Sequence, residues 1–432
     1  MRLRKCPRAA LALFLAATAF TPTANAVVVK WINPGTGIWN DATNWDLGIP
    51  GNDDAQVSNG GTVTIDDTQT VTTGFATLGV GTGNSGFMKM TGGTLTTNFD
   101  IRIGGNATTG GGIGVFDFSG GTIFMNGGNL NTGQGSTANG TLNMSGGTLT
   151  VNSGAIFAVG NRGTATVNQS GGTLYVRGAS APGTAFVQLG RNATTTIGNG
   201  TYNLSGGALA APNIKFGQAV GIAGSTNAFN LSNNGDLLTN TISVINTAAA
   251  NTFSFTGGTL TANSIGLPIN NTGGTLSPAT LDFSSAPVDI PSIPFSPAGI
   301  TTFTGDNTYT QGPSATFAID LVGPGNNDLL DVGATGTAAA ILAGNLRVDT
   351  VAGFDPALGD TFDIVYADSI VNTATVTGLT PSGNAYTATI RPGAAPDGRD
   401  ALTLTVVPAP EPTTLSVLGL FALTALTRRR RV

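Results

Sequence analysis

The sequence predicts an all-β protein whose body is a right-handed parallel β-solenoid. Two observations carry this. An eight-residue pattern, apolar-x-apolar-(Ser/Thr)-Gly-Gly-(Thr/Ala)-apolar, recurs from Met88 to Leu276 at a mean spacing of about 26 residues. Between its copies lies a second short strand with apolar residues at period two, ending in Gly, as in Ile101-Arg102-Ile103-Gly104 and Val187-Gln188-Leu189-Gly190. Gly-Gly could close an antiparallel hairpin, but a sandwich does not need the same turn at a fixed interval. A solenoid does, because equivalent turns stack on one another and equivalent apolar residues form columns inside. The 64 Gly among 432 residues, about twice ordinary usage, fit such punctuation.

In chain order, residues 1–26 read as a secretory signal. Arg2, Arg4, Lys5 and Arg8 precede an apolar run from Ala9 to Phe20, and Ala24-Asn25-Ala26 supplies a small-x-small cleavage site. All three Trp follow closely, as Trp31, Trp39 and Trp45. They are either a sugar-stacking platform or an aromatic plug over the first rung, since an open solenoid end invites edge-to-edge association.

The repeat body covers 27–285. Its copies run Met88–Leu95, Phe116–Ile123, Leu142–Leu149, Val167–Leu174 (with Gln169 at the second apolar place), Tyr202–Leu209 and Phe253–Leu260. Phe229–Asn234 is a degenerate copy with Asn233 and Asn234 in the Gly places, Asn being the residue best able to share the positive φ of Gly. Thr272–Leu276 is a partial copy. Apolar residues should point inward and Thr and Asn outward. About ten rungs, each about 4.8 Å above the last, would make a rod near 50 Å long.

Pro287, Pro291, Pro294 and Pro297 mark a break at 286–300, since Pro cannot donate to a strand ladder. Beyond it the composition shifts: Asp117 and Asp236 are the only carboxylates between 101 and 281, whereas 282–400 holds thirteen Asp. Alternating strands continue over 301–406, as a separate β section or as an irregular end of the solenoid that caps it.

The tail, 407–432, has three parts: Pro410-Glu411-Pro412, an apolar stretch from Leu415 to Leu426, and Arg428-Arg429-Arg430-Arg431. Thr413 to Thr427 would make a helix of only about 22 Å, short for a permanent membrane anchor. The Arg cluster should stay cytoplasmic, leaving the rest outside. In this order the parts resemble the PEP-CTERM sorting signal of Gram-negative bacteria. The resemblance implies that Pro410, Glu411 and Pro412 are read by an exosortase, a membrane transpeptidase that removes the tail after transient inner-membrane insertion and passes the protein to the cell surface or beyond. The Trp-rich segment and the Gly-Gly-Thr-Leu repeats together look like the autotransporter-passenger-like solenoids that often carry this signal.

Composition excludes much chemistry. There is no His, the one Cys is Cys6 within the signal, and the one Glu is Glu411. Triads, thiolate nucleophiles, disulfides and imidazole metal sites are thereby ruled out. Asp53-Asp54 and Asp66-Asp67 are adjacent pairs, and neighbours on a strand face opposite ways, so neither pair aims two carboxylates at one substrate. Asn326-Asn327-Asp328 with Asp331 is the most oxygen-rich cluster for Ca²⁺. Arg162 and Arg191 follow equivalent turns and read as solvated turn residues, with a weak stacked basic pair as the alternative. No catalytic, cofactor or metal residue is assigned.

Loss of both ends would leave ten basic residues against 22 acids, a net charge of about −12, which disfavours nucleic acid and anionic lipid. The expected role is a structural or adhesive component of an extracellular polysaccharide matrix. Carbohydrate binding through the Trp residues is the alternative, and polysaccharide degradation by Asp alone a more distant one.

Overall fold

The computed structural model describes residues 27–410, apart from 107–109, 153–155, 179–183, 192–195, 219–222, 284–292, 294, 334–336 and 352. The signal segment and all of the sorting tail beyond Pro410 therefore lie outside the described residues. The described chain is a parallel β-solenoid of about twelve turns. Its one helical element is a short 3-10 turn at Ala42–Asn44.

Each turn contributes three short strands, which stack into three parallel sheets. The first sheet begins at Val28–Lys30, which pairs with Asp54–Val57. The second begins at Thr36–Ile38 over Thr62–Ile65 and continues to Ser369–Asn372. The third begins one turn later, at Thr70–Thr73 over Thr94–Thr97. At several corners the chain bends without leaving the extended conformation, so that Asn139–Val151 is one strand serving two sheets.

The apolar columns expected from the repeat run through the interior, interrupted at Gln169. In the third sheet the last residue of the repeat stacks rung on rung as Leu95, Ile123, Leu149, Leu174 and Leu209, all fully buried. Full burial of each such side chain contributes about 1.5–3 kcal/mol. In the second sheet, Tyr202, Phe229 and Phe253 stack with ring centroids 5.0 and 5.2 Å apart and planes 12° and 3° from parallel. One apolar core extends from Val29 to Val406.

The Gly-Gly corners have two separate causes. The second Gly takes a positive φ in every full copy, from 71° at Gly207 to 91° at Gly121, which costs an L residue about 1–2 kcal/mol. The first Gly lies against the rung below. A Cβ on Gly146 would fall on the carbonyl oxygen of Ser119, and one on Gly171 on that of Ser145. In the degenerate copy the Gly places fall one residue later than the sequence pattern puts them, Asn234 pairing with Gly206 and Gly235 with Gly207. Asn233, just before them, takes φ 49°, one of only two positive-φ residues other than Gly among those described.

The segment around 286–300 is not a break in the solenoid. All three ladders cross it: Ser264 pairs with Thr302, Asn270 with Thr310 and Thr275 with Thr316. The described residues on either side of it instead form a short excursion. Thr280–Leu281 and Phe295–Ser296 pair antiparallel, and Leu281, Phe283 and Ile293 pack with Tyr175 and Ala210 in a second small core, with Leu238 against it. Tyr175, Ala210 and Leu238 are in register on the outward side of the third sheet, in line with Thr150 and Thr261. The expected Thr/Asn exterior fails there because this excursion covers it.

Residues 301–406 form no separate core. They extend the solenoid by further rungs and then close it. Thr361–Ala367 ends the first sheet's parallel run, and Asp400–Val407 pairs with it antiparallel, followed by Ala385–Arg391. This hairpin covers the open parallel edge of that sheet.

Candidate functional surfaces

At the N-terminal end the three Trp come together and turn inward. Trp31, Trp39 and Trp45 are 2%, 0% and 3% exposed. Trp45 meets Trp31 edge-on at 4.9 Å and Trp39 at 5.1 Å, and its indole N–H donates to the Trp39 carbonyl at 2.9 Å. Asp41 caps the intervening 3-10 turn. Asn40 N–H donates to Gln69 at the start of the third sheet. Rings this buried offer no face to a sugar, which corrects the stacking-platform reading. They plug the first rung.

The outer side of the second sheet is a regular polar grid. Thr141, Thr166 and Thr201 align across consecutive rungs, and so do Asn143, Asn168 and Asn203 beside them. The Asn column is a hydrogen-bonded ladder. Asn143 Nδ2 donates to Asp117 at 2.8 Å, Asn168 to Asn143 at 2.9 Å, Asn203 to Asn168 at 2.8 Å and Asn230 to Asn203 at 2.7 Å. Each amide in the middle of the ladder uses one N–H and one lone pair along the rod, and keeps a second of each for an external partner. Rows recur every ~4.8 Å along the rod and every second residue across it.

The oxygen-rich cluster is brought together but committed internally. Asp328 is fully buried and accepts from Gly299 N–H at 2.8 Å and Asp320 N–H at 2.9 Å. Asp331 accepts from Arg399 at 2.7 Å. Among the described residues no group of three or more acidic, His or Cys side chains could hold a metal ion. Asp66 is likewise engaged, accepting from Thr68 N–H and hydroxyl, which holds its carboxyl below the usual range. Arg162 and Arg191 do lie on adjacent rungs, with Arg162 N–H donating to the Arg191 carbonyl. Burial and then the neighbouring Arg162 charge lower the Arg191 pKa.

Of the sorting residues only Pro410 is described. Glu411, Pro412 and Arg428 to Arg431 lie outside the described residues, as do Ala24 and Ala26. Among the described residues no helix is long and apolar enough to cross a membrane. A scan of protein-family models finds none that matches the chain, and a search of curated proteins finds no match either.

Proposed function

We propose that this chain is an exported structural and adhesive rod of an extracellular polysaccharide matrix, processed at its C-terminus by an exosortase. The observation that supports this reading best is the Thr/Asn grid on the second sheet. From Asn143 to Asn230 it is a rigid, uncharged, repeating array of donors and acceptors on a body with a predominantly apolar interior. Individually weak contacts repeated at fixed spacing along one rod add through effective concentration. On this reading the coil is right-handed, as parallel crossover connections almost always are.

The export half of the proposal rests on the basic-apolar-small order of residues 1–26 and on Pro410-Glu411-Pro412 with its apolar stretch and Arg cluster. Mass spectrometry of the native extracellular protein tests it. The mature species should begin near Val27 and end near Pro412. A secreted form that keeps Arg428 to Arg431 would remove the sorting reading.

A further inference from the structure

Along the outer side of the first sheet, the last rungs border a continuous trough. One compartment, of about 400 Å³, is lined by Asn263, Thr280, Gly299 and the Gly325–Asn327 hairpin. The next, of about 330 Å³, is lined by Ile300, Leu329, Tyr366, Asp363 and Arg391. Ile300, Gly325 and Asn327 line both, so the two adjoin. A third, of about 290 Å³, continues past Thr361 to Asp360. From the strand that follows Asn263 to the strand bearing Tyr366 is three rung steps, or about 14 Å.

The trough's polar groups are fixed before any ligand arrives. Asp363 Oδ1 accepts from Arg391 Nη2 and from the Thr403 hydroxyl, each at 2.6 Å. Arg391 Nε also donates to Thr403, at 2.7 Å, and the Tyr366 hydroxyl donates to Asp363 at 3.3 Å. The guanidinium is thus held along one edge while half its side chain stays exposed. Asn327 Nδ2 donates to the carbonyls of Asp328 and Asp363, both at 2.8 Å, which leaves its Oδ1 as an acceptor. At the far end Asn263 Oδ1 is sheltered from solvent and has no hydrogen-bond partner, a costly state for a buried acceptor. Below the hairpin, Asp328 ties Asp320 to Gly299 and so fixes the wall.

We propose that this trough binds a neutral polysaccharide chain. Its lining sets a stacked apolar pair, Ile300 and Leu329, beside fixed donors and acceptors, and a pyranose has the matching surfaces: an apolar C–H face and a hydroxyl rim that both donates and accepts. The Arg391–Asp363 pair cancels its own charge and the other charged group of the lining is the acidic Asp360, so no net field selects an anion. The length of three rung steps suits several sugar units in a row rather than one. The site is separate from the Thr/Asn grid and does not depend on export.

Calorimetric titration of the purified full-length chain with cellohexaose, mannohexaose and maltohexaose tests it, with hexagalacturonate as the acidic arm. At least one neutral hexasaccharide should bind. Ile300→Arg, at a half-exposed position, and Arg391→Ala should each weaken that binding at least tenfold with the circular-dichroism spectrum unchanged. If Arg391→Ala disturbs the fold, Ile300→Arg decides alone. The proposal falls if no neutral hexasaccharide binds at millimolar concentration, if Ile300→Arg binds as well as the wild type, or if hexagalacturonate binds best. None of these results touches the processing test, and an unprocessed tail would leave the titration readable.

Discussion

The Tyr202 hydroxyl donates to Gln169 Oε1 at 2.5 Å, one rung away and in the middle of the core. Gln169 is the polar exception in a column otherwise held by residues such as Met144 and Leu204. Its Nε2 is also satisfied, by the carbonyls of Gly172 and Ala208. The device recurs at Tyr309, whose hydroxyl lies between Asn271 and Gln311. Tyr202→Phe should therefore cost about 1–3 kcal/mol by leaving a buried acceptor unpaired. Combining it with Gln169→Leu should recover most of that loss. A double-mutant cycle by urea unfolding measures this, and strictly additive losses would mean that the pair is not coupled.

The Gly-Gly corners make two distinguishable claims. Gly146→Ala should cost about 1–3 kcal/mol through overpacking against Ser119. Gly147→Ala meets a positive φ of 77° and the Phe118 ring 2.5 Å from its new Cβ, and should cost at least as much. Asn233→Gly, at a position already in the left-handed region, should change stability by less than about 1 kcal/mol. Denaturation of the three variants checks the ordering, and a harmless Gly146→Ala would deny the close stacking of corners.

What the sequence records well is what lies inside the coil. The period-two strands, the Leu column and the corner glycines are all local patterns, and each maps onto a rung. The degenerate copy was legible only in part: Asn233 does take a positive φ, but Asn234 and Gly235 stand in the Gly places, because a one-residue shift of register leaves no local mark. What covers the outside is not local. Tyr175, Ala210 and Leu238 break the polar exterior because Leu281, Phe283 and Ile293 pack on them, and no periodicity announces that contact. Of the prolines that suggested a break, Pro287, Pro291 and Pro294 lie outside the described residues. Of the two readings of the Trp cluster, the aromatic plug matches the burial of all three rings and the sugar platform does not. The trough escaped notice because its walls come from separate rungs and a hairpin, so no short motif contains it.

The Trp plug predicts where the rod should open first. Each rung contacts mainly its neighbours, so a loss at one end stays near that end. Trp45→Ala removes both aromatic pairs and a buried side chain, with a cost of about 3–5 kcal/mol. Hydrogen exchange should accelerate over 28–65 and remain unchanged in the C-terminal hairpin Ala385–Arg391 with Asp400–Val407. Uniform acceleration along the whole chain would show that the Trp cluster is not a local cap.

Asp328 sets a pH dependence with a definite sign. Two influences oppose each other at this carboxyl. Burial is the larger and disfavours the charge, and the nearby Asp320 carboxylate acts the same way. The N–H groups of Asp320 and Gly299 favour the charge. The balance pushes its pKa up to about 8, from 3.8 ordinarily. The folded protein therefore holds a proton that the unfolded chain releases, throughout the interval between those two values. Within that interval unfolding becomes easier as pH rises, and this contribution to stability is present in full only below about pH 4. Asp328→Asn cannot titrate and keeps an acceptor for one of the two N–H groups. Asp320, whose pKa is also raised by burial, remains in both proteins, so their difference isolates Asp328. Thermal unfolding at pH 5 and pH 8.5 should show a larger drop in the wild type than in the variant. A wild type that instead gains on the variant as pH rises would mean that the two N–H donors prevail and that Asp328 is ionised in the folded rod.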